Sequence, residues 1–440
     1  MLLSGWGRYP RLDCRLVRPP DGDDALAALC TQGLSLIARG QGRAYGDAAL
    51  NAAFTLDMRA RNRMLAFDPE TGVLAAEAGV TLAEVIDTFL PRGWFPAITP
   101  GTRFVTLGGA IAADVHGKNH HKDGAFSSCV DWIELLGPNG TIRRLVPADA
   151  AFGWTCGGMG LTGVILRAAI RLRPVESGWI RQRAIPAPGL ATALDLLEGA
   201  QDTTYSVAWI DCLASGAALG RSIVMLGEHA PRDGLGPREA ADPYVRRRKA
   251  AKTVPFDFPA IALNSLSVRA FNELYYSLGA WNAGEGLIDF NSYFYPLDAL
   301  LEWNRIYGRR GFAQFQCVLP LAASPAGLTL LLRTIAKAGQ GSFLAVLKRM
   351  GAQDSRFSFP MEGYTLALDF PIRDGTARLF TELERIVVDH GGRFYLAKDA
   401  FLTPETLRAA DPRTSDFIAM RGASGANGRF ASALSERLVL

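Results

Sequence analysis

The segment GGAIAADVHGKNHH, residues 108–121, brings reactive side chains close together in the sequence. It holds an aspartate, a lysine and three of the chain's five histidines. Three chemistries fit this composition: a metal site, a catalytic cluster, or a loop that wraps a large ligand. His116 and His120 have the spacing of ligands on one helical face, but Gly117 and Asn119 disfavour a helix and no H-E-x-x-H motif is present. We therefore predict no metal ion here.

Glycine-rich loops recur in the same half of the chain, at residues 39–47, 100–109 and 157–163. Backbone amides in such loops form anion-binding concavities without needing a helix, and glycine lets the main chain approach a ligand closely. Any single loop is also explained as a plain tight turn. Together with segment 108–121, the three loops predict a site for a large phosphate-containing ligand.

The glycine motifs do not predict a Rossmann fold. GMGLTG at residues 158–163 matches G-x-G-x-x-G, but an alternating strand pattern follows where that fingerprint requires a helix. The loop at residues 39–47 follows a strand, yet the next strand pattern returns within ten residues, which is too early for a βαβ unit. A nicotinamide site of that type is not expected.

Short strands and loops make up the predicted first 175 residues, followed by longer amphipathic patterns. Thr81 and Glu84 form a capping-box pattern ahead of a helix, and AIAAD, residues 110–114, is expected to be a buried turn. Apolar runs, alternation and helix-stop signals predict the remaining elements: strands at 33–40, 54–58, 73–80 and 163–174, a hairpin at 130–145, and helices at 324–340 and 374–392.

The strand pattern at residues 311–320, GFAQFQCVLP, places two glutamines on one face. Gln314 and Gln316 share that face because they are two residues apart, while Phe315 and Cys317 point the other way. Two amides on a largely apolar strand are unfavourable unless they are hydrogen-bonded. A polyol in a cleft would supply the missing partners.

Composition bounds the class of protein. The chain has 440 residues, 49% of them hydrophobic and 20% charged, with a net charge of +4, which indicates a globular protein of about two domains. Six scattered cysteines without a CxxC predict neither a disulfide framework nor a zinc ribbon. The basic run YVRRRKAAK, residues 244–252, is explained as a solvated surface or as a contact with an anionic membrane or phosphate.

Two further expectations follow from composition. Nucleic acid is not an expected partner, because the basic residues are not interleaved with stacking aromatics. No signal peptide and no membrane-spanning run are recognised, so a cytoplasmic or peripheral inner-membrane protein is expected.

Longer motifs carry a resemblance to a known family. ARGQGRAYGD, PGTRFVTLGGAIAADVHGKNHH and GGMGLTGVI resemble the cofactor-binding segments of the vanillyl-alcohol-oxidase-type (PCMH-type) flavoproteins. More narrowly, DVHGKNHH, YPLDALLEWNRIYG, FAQFQCVLP, SFLAVLKRMG, LDFPIRDG, GGRFYLAKD and RFASALSERL resemble, in this order, the decaprenylphosphoryl-β-D-ribose 2′-oxidase family. The similarity runs from about Gly5 to the C-terminus.

The resemblance implies an α+β fold with a bipartite FAD-binding domain and a substrate domain built on an antiparallel sheet flanked by helices. The expected bounds are residues 1–178 for the FAD domain, 179–392 for the substrate domain, and 393–440 for a segment that returns to the FAD domain. Many relatives tether FAD through a histidine, but Arg43 stands at that place, so the FAD is expected to be non-covalent. The residues expected to bind it are Ala38, Arg39, Gly40, Gln41, Gly42, Arg43, Ala44, Tyr45, Gly101, Thr102, Thr106, Leu107, Gly108, Gly109, Ala113, Asp114, Val115, His116, Gly117, Gly160, Val164 and Tyr395.

The chemistry implied by the resemblance is oxidation of a secondary alcohol, which requires a base within reach of the hydroxyl. Lys398 is the first candidate for handling that proton or for stabilising negative charge, and Tyr45 and His116 are expected beside the flavin. The residues expected on the substrate side are Lys118, Trp209, Phe294, Gln314, Gln316, Lys348, Ala367 and Asp369. His120 and His121 receive no role.

Ala367 departs from the mycobacterial members of the family, which have a cysteine at this position. That cysteine is the point of attack of covalent inhibitors. The substitution is expected to remove covalent inhibition without removing the reaction, since alcohol oxidation needs no thiol.

The implied substrate is a polyprenylphosphoryl-β-D-ribose at a membrane surface, oxidised at its 2′-hydroxyl to the 2-keto sugar. A short-chain NAD(P)H-dependent reductase would complete the epimerisation to the arabinose donor for cell-envelope glycans. Two alternatives stay open at this point. One is an aldonolactone- or alditol-type oxidase that acts on a soluble sugar with oxygen as acceptor. The other is a flavin-bearing or ligand-binding subunit without catalytic activity.

Overall fold

A computed structural model describes residues 1–245, 251–259 and 263–440 of the chain. Residues 246–250 of the basic run lie outside the described residues. In the first 178 residues the strands are β1 (Leu2–Ser4), β2 (Arg11–Asp13), β3 (Leu16–Val17), β4 (Ile37–Arg39), β5 (Thr55–Asp57), β6 (Met64–Asp68), β7 (Val73–Glu77), β8 (Trp94–Pro96), β9 (Val130–Leu136), β10 (Ile142–Leu145) and β11 (Val164–Pro174). The helices are α1 (Asp23–Thr31), α2 (Leu82–Phe89), α3 (Leu107–Ala112), α4 (His120–Asp123) and α5 (Ala150–Thr155).

Two sheets organise this first part. β10, β9, β11, β7 and β6 form an antiparallel sheet in that order, with β8 added along the end of β11. A small parallel sheet, β3-β5-β4, lies beside it. The predicted hairpin is confirmed as β9 and β10. The predicted capping box is also confirmed, because the Thr81 hydroxyl accepts from the Glu84 amide while the Glu84 carboxylate accepts from the Thr81 amide.

The second part of the chain is dominated by one large sheet. The strands of this second part are β12 (Trp179–Ala187), β13 (Tyr205–Ile210), β14 (Ser222–His229), β15 (Lys252–Thr253), β16 (Gly284–Asp289), β17 (Leu300–Leu301), β18 (Phe312–Pro320), β19 (Ala345–Met350) and β20 (Gly363–Pro371), of which β15 and β17 form a separate two-stranded sheet. Its helices are α6 (Leu190–Glu198), α7 (Pro237–Ala240), α8 (Ser265–Trp281), α9 (Phe290–Phe294), α10 (Ser324–Ala338) and α11 (Thr376–Asp389). The last part contains β21 (Arg393–Phe394), α12 (Pro404–Ala410), α13 (Arg413–Ser424) and α14 (Ala433–Leu438).

The large sheet is antiparallel throughout and runs β16-β12-β14-β13-β19-β20-β18-β21. One face is covered by α6, α10 and α11, whose apolar stripes join the main hydrophobic core. Phe315 and Cys317 point into that core, as the alternation of β18 predicts, and Phe315 meets Phe380 of α11 with ring centroids 5.6 Å apart. On the opposite face α8 packs over β12 and β14, and β13, β19, β20 and β18 border a cavity. The predicted α+β class, with an antiparallel sheet flanked by helices, is confirmed.

The C-terminal segment contacts both parts of the chain. β21 pairs with β18 at the edge of the large sheet, whereas Leu36 and Phe430 form a bridge beside β4. The Arg437 guanidinium of α14 binds Asp47 at 2.8 Å. The domain bounds at residues 178 and 392 stay a prediction.

The structure corrects one local expectation and shows two further local features. AIAAD is not a turn, since residues 107–112 form α3, which begins after Thr106, whose hydroxyl accepts from the Gly109 amide at 3.2 Å. Tyr395 and Lys398 are not on a strand but in a turn after β21, in which the Lys398 amide donates to the Tyr395 carbonyl. A β-bulge between Ile165 and Arg167 shifts the faces of β11. No helix among the described residues is long and apolar enough to span a membrane.

Candidate active site

A cavity of about 550 Å³ lies between the glycine-rich loops of the first part and the large sheet, on the sheet face opposite α6, α10 and α11. This volume is typical of small-molecule sites. The sequence-predicted residues that line it are Ala38, Gly40, Gln41, Gly42, Arg43, Ala44, Tyr45, Gly101, Thr102, Thr106, Gly108, Gly109, Ala113, Val115, His116, Gly117, Lys118, Gly160, Trp209, Phe294, Gln314, Gln316, Lys348, Ala367, Asp369, Tyr395 and Lys398.

Strand register assembles the wall on the sheet side. Trp209 of β13 pairs with Val346 of β19, which pairs with Ala367 of β20, which in turn pairs with Gln316 of β18. Residues in register on antiparallel strands point to the same face, so these four side chains form one row across the cavity. The neighbouring pair, Gln314 and Asp369, lies two residues along the strands and therefore faces the same way.

The glutamines of that row are hydrogen-bonded within the protein. The Gln314 amide donates to the Asp369 carboxylate. The Gln316 amide contacts Nε2 of His116 at 3.0 Å and Oγ1 of Thr365 at 3.2 Å. The expectation that a polyol must supply these partners was wrong, because the neighbouring strand β20 and segment 108–121 supply them instead. The two glutamines thus hold the side chains of Asp369 and His116 in place, and both of these side chains line the cavity.

His116 is held as a neutral imidazole. Burial, reinforced by the positive charge of Lys348, lowers its pKa well below the usual range. Because the Gln316 amide is a donor, Nε2 of His116 accepts and Nδ1 carries the proton. Among the described residues Nδ1 has no hydrogen-bond partner. A ligand with an acceptor at this point would satisfy it.

The cavity is lined by more cationic side chains than carboxylates. Lys118, Lys348, Lys398 and Arg43 line it together with two carboxylates, Asp298 and Asp369, among the described residues. Burial, with a smaller effect of Lys348, lowers the pKa of Lys118 to about 7, and burial alone lowers that of Lys348 to about 8. The excess of cationic groups suits an anionic ligand.

Lys118 is not directed freely toward a ligand. Its Nζ donates to the carbonyl oxygen of Tyr293 and lies 4.0 Å from the centroid of the Tyr293 ring. This contact joins segment 108–121 to the end of α9. Lys118 therefore lines the cavity with its charge partly engaged by the protein.

Lys398 lines the cavity next to Tyr45 and Asp369. Its Nζ lies 3.5 Å from the centroid of the Tyr45 ring. Burial lowers the pKa of Lys398, while the charge of Asp369 opposes that shift; burial likewise raises the pKa of Asp369. The Tyr45 amide donates to the Ala397 carbonyl at 2.9 Å, which fixes the loop of residues 39–47 against the turn that carries Lys398.

The loops opposite the sheet fit a large cofactor. A Cβ on Gly40 would lie 2.2 Å from Oγ1 of Thr106, so only glycine lets these two loops meet. Nε of Arg43, on the same wall, is buried without a partner among the described residues, while its guanidinium lies 3.9 Å from the Trp6 ring centroid. Unpaired buried donors, close backbone loops and positive charge together fit the phosphates and carbonyls of FAD.

Four of the residues predicted to bind FAD do not line the cavity. Leu107 and Val164 are fully buried in apolar clusters. The Arg39 guanidinium turns away and donates to the Ser4 carbonyl at 2.7 Å. The Asp114 carboxylate accepts from the Ser127 amide at 2.8 Å and the Gln353 amide at 3.0 Å, so it holds loops together behind the site.

The remaining histidines of segment 108–121 also hold structure. Nε2 of His120 contacts Gln353 at 2.8 Å, and Nε2 of His121 contacts the Thr203 carbonyl at 2.8 Å. Neither lines the cavity. No group of three metal-ligating side chains occurs among the residues that the structure describes.

Sequence reasoning missed part of the wall. Asp298 accepts from the Arg103 amide at 2.9 Å and thereby fixes the loop of residues 100–104. Phe271 and Tyr275 of α8 close one side, where Tyr275 meets Trp209 with ring centroids 4.5 Å apart. Asp298 lies within the motif YPLDALLEWNRIYG, but no role was predicted for it. Phe271 and Tyr275 belong to a segment without a motif, where the only available signal was the aromatic content of residues 256–307.

Comparisons with known proteins agree with this geometry. A family profile described as an FAD binding domain matches residues 18–146. The chain is 36% identical to the decaprenylphosphoryl-beta-D-ribose oxidase of Mycolicibacterium smegmatis, over all of this chain and 97% of that protein. It is 32% identical to an uncharacterized protein from the mprA 5′ region of Streptomyces coelicolor, over 82% of this chain and all of that protein. A weaker similarity, 26% over 29% of the chain, joins it to the human delta(24)-sterol reductase.

The fold and the site define an FAD-dependent oxidoreductase of the vanillyl-alcohol-oxidase type. The 36% identity to the mycobacterial protein, over all of this chain and 97% of that protein, identifies the family within this class. The chain belongs to the decaprenylphosphoryl-β-D-ribose oxidase family.

Proposed function

We propose that the protein oxidises the 2′-hydroxyl of a polyprenylphosphoryl-β-D-ribose to the 2-keto sugar, the first half of an epimerisation to the arabinose donor. The observation that carries this proposal is half-buried Lys398, which lies over Tyr45 and beside Asp369 in a cationic cavity. The name of the full-length mycobacterial relative supports the lipid-linked sugar as substrate.

FAD, when bound, accepts the hydride that leaves the sugar carbon. The side chains of this protein would accept the proton and bind the substrate. Lys398, whose pKa burial lowers, would accept the hydroxyl proton. His116, Gln316 and the Gln314–Asp369 pair would hold the sugar hydroxyls. Lys348 and Lys118 would face the phosphate, while Trp209 and Phe294 would bound the ring and Ala367 would leave room for it.

The glycine-rich loops would hold FAD. The residues that line the corresponding wall are Gly40, Gln41, Gly42, Arg43, Ala44, Tyr45, Gly101, Thr102, Val105, Thr106, Gly108, Gly109, Ala113, Val115, His116, Gly117, Gly160 and Tyr395. The hydroxyl of Tyr395 donates to the Ala113 carbonyl at 2.9 Å and keeps two of these segments together. Main-chain amides at such loops suit pyrophosphate oxygens.

An anaerobic titration tests the proposed reaction. Adding polyprenylphosphoryl-ribose to the purified flavoprotein is expected to bleach the flavin absorbance near 450 nm in proportion to the sugar added, as ~1 equivalent per flavin. Soluble alditols and aldonolactones serve as the comparison. Bleaching by those sugars and not by the lipid-linked sugar would favour the soluble-sugar oxidase, and no bleaching by either would favour a non-catalytic subunit.

The proposed reaction requires a second enzyme, and its substrate implies a cellular location. A short-chain NAD(P)H-dependent reductase would take the 2-keto product and complete the epimerisation. The protein would work in the cytoplasm or at the inner membrane surface, where a lipid-linked substrate resides.

The FAD is expected to be released intact by denaturation. Arg43 stands where many relatives have a flavin-linking histidine, and its guanidinium instead stacks on Trp6 and Phe104. Precipitation in acid should leave a colourless pellet and put all of the FAD in the supernatant, measured by absorbance and mass spectrometry. A yellow pellet would contradict a non-covalent cofactor.

Thiol reagents are expected to inactivate the protein slowly. All six cysteines are buried, and none lines the cavity in the described part of the chain. Burial raises the pKa of Cys212 and of Cys317 to about 12, so little thiolate forms. Ala367→Cys places a thiol on the cavity wall, and inactivation by a maleimide should then become at least about tenfold faster. Equal inactivation rates, with labelling followed by mass spectrometry, would place residue 367 away from the accessible cavity.

A further inference from the structure

Arg437 of α14 binds two carboxylates from distant parts of the chain. Its Nε and one of its Nη atoms donate to the two oxygens of Asp47 at 3.0 and 2.8 Å, and the same Nη donates to Asp399 at 2.9 Å. The other Nη donates to the Leu402 carbonyl at 2.7 Å. Asp47 and Asp399 are only 3% and 8% exposed. Forked, charge-assisted bonds of this kind fix the relative orientation of the groups that they join.

The two carboxylates stand beside residues that the proposed reaction uses. Asp47 follows Tyr45 by two residues, at the end of the loop of residues 39–47. Asp399 directly follows Lys398 in the chain. The guanidinium therefore connects the loop that carries the tyrosine ring to the turn that carries the lysine amine.

The main chains of this loop and this turn also touch each other. A Cβ on Gly46 would lie 1.8 Å from the Asp399 carbonyl oxygen, so only glycine permits the approach. The Tyr45 amide donates to the Ala397 carbonyl at 2.9 Å. Oδ1 of Asp399 accepts from the Leu402 amide at 2.9 Å, which closes the turn on its far side. A shift of either segment would therefore change the separation between the ring and the amine.

The amine of Lys398 is sensitive to such a shift. Its Nζ lies 3.5 Å from the centroid of the Tyr45 ring, and Asp369 and Lys348 are the charged groups that act on it. Burial is the largest influence on the pKa of Lys398 and lowers it. An amine that moved from the ring toward water would regain the higher pKa of an ordinary lysine.

A third carboxyl group interacts with the same guanidinium. Glu384 of α11 is 5% exposed, and burial, followed by the charge of Asp399, raises its pKa to about 7, while Arg437 opposes the shift. Asp47 and Asp399 also act on each other as like charges. Without Arg437 these carboxylates would repel, and the loop and the turn would be pushed apart.

We propose that Arg437 is a positioning residue for the reaction, because it ties Asp47 to Asp399 and thereby holds the Lys398 amine over the Tyr45 ring. The role in the reaction rests on the proposed function. The link between the two segments does not, because it is measured without substrate.

Two variants cut the link with opposite changes of charge. Arg437→Gln removes a positive charge and the whole fork. Asp47→Asn removes a negative charge, keeps the shape of the side chain, and replaces one acceptor oxygen by an amide nitrogen that cannot accept from the guanidinium. Asp47→Asn leaves the bond between Arg437 and Asp399 in place, so it provides the test if Arg437→Gln does not fold.

Hydrogen exchange of the holoprotein, followed by mass spectrometry, tests the link itself. The amides of Tyr45 and Lys398 should exchange at least about tenfold faster in both variants, because local opening exposes them. Arg221→Gln is the matched control, since Arg221 binds Asp211 at 2.8 Å and the Asp211 and Asp47 side chains are 3% and 4% exposed. It should leave both amides protected. Unchanged exchange at Tyr45 and Lys398 in both variants would overturn the proposal.

The rate of flavin bleaching tests whether Arg437 acts through Lys398. Arg437→Gln should lower the rate at saturating substrate by about 10- to 100-fold, as expected for a misplaced reacting group. KM should stay within about threefold, because Arg437 does not line the cavity. In a Lys398→Met background Arg437→Gln should cause no further loss, since no amine is left to position. An equal further loss in that background would show a general structural role and overturn the proposal.

The pH dependence of Asp47→Asn separates position from charge. Loss of a negative charge, taken alone, would lower the pKa of Lys398 and move the rising limb of the rate to lower pH. Loss of position exposes the amine to water, raises its pKa, and moves the limb to higher pH. We expect the shift to higher pH. A shift to lower pH would show that Asp47 acts only through its charge and would overturn the proposal.

The two kinds of measurement also distinguish this proposal from the proposed function. Wild type that is not bleached by the lipid-linked sugar would contradict the proposed function and, with it, the role of Arg437 in the reaction. Faster exchange at Tyr45 and Lys398 in the variants would still support the link between the loop and the turn.

Discussion

Replacing Lys398 by methionine should lower kcat by about 10²–10⁴-fold, the range for loss of a positioned general base. Lys398 lies half-buried over the Tyr45 ring and beside Asp369, and desolvation in the cavity lowers its pKa so that a neutral amine becomes accessible near neutral pH. Methionine keeps the length and apolar stem of the side chain but cannot accept a proton. The measurement is the rate of flavin bleaching by substrate in stopped flow without oxygen.

Two variants make that loss interpretable. Lys122→Met removes an exposed lysine whose Nζ donates to the Asp202 carbonyl, and it should leave the rate unchanged. Lys398→Arg keeps a positive charge that cannot be deprotonated, so it should be as slow as Lys398→Met if Lys398 accepts the proton. Recovery of activity in Lys398→Arg would show that Lys398 acts through its charge instead. A Lys398→Met rate within about threefold of wild type would remove it from the catalytic machinery.

The pH dependence of kcat also tests Lys398 as the base, and the direction of the expected change follows from its lowered pKa. A base must be neutral before it accepts a proton, so kcat should rise with pH through the lowered pKa of Lys398, well below the ordinary lysine value of about 10.4. Asp369 opposes the lowering, because its negative charge favours the ammonium form. Asp369→Asn should therefore move the rising limb to lower pH. A shift to higher pH would contradict the coupling between the two side chains.

The loops of the site could be predicted from the sequence more fully than the wall formed by the sheet. Gly40, Gly42 and Gly101 are recognisable because close backbone approach requires glycine in a local motif. The alternation of Gln314 and Gln316 is equally local and correctly predicts a shared face. Their partners Asp369, Thr365 and His116 lie far along the chain. They meet the glutamines only through the register of β18 with β20 and through the packing of segment 108–121, which no local pattern encodes.

The misassigned residues have a common physical reason. Arg39 and Asp114 are polar residues inside ligand-binding motifs, so a motif-based interpretation points them at the ligand. In the fold their side chains are used to join loops, Arg39 to the Ser4 carbonyl and Asp114 to Ser127 and Gln353. Asp298, by contrast, was assigned no role although it lies within the motif YPLDALLEWNRIYG, and it reaches the wall because its carboxylate fixes the Arg103 amide.

Replacing Gly101 by leucine should weaken FAD binding by about 10- to 100-fold. Gly101 lines the cavity, and a Cβ at this residue would meet no protein atom within 4 Å. The new side chain is therefore accommodated by the protein but occupies space on the wall assigned to the cofactor. Overpacking of a well-filled site costs about 1–3 kcal/mol, and each 1.4 kcal/mol is tenfold in affinity.

The loop that carries Gly101 cannot simply move aside. The Arg103 amide donates to Asp298 at 2.9 Å, and the Ala83 amide donates to the Arg103 carbonyl at 2.9 Å, so both main-chain polar groups of Arg103, two residues after Gly101, are held in place. Flavin content after purification and the dissociation constant from equilibrium dialysis measure the effect. Gly286→Leu is the matched control, since a Cβ there also meets nothing within 4 Å but Gly286 lies on edge strand β16. Wild-type affinity in Gly101→Leu would place FAD elsewhere, because the same added volume would then cost nothing on this wall.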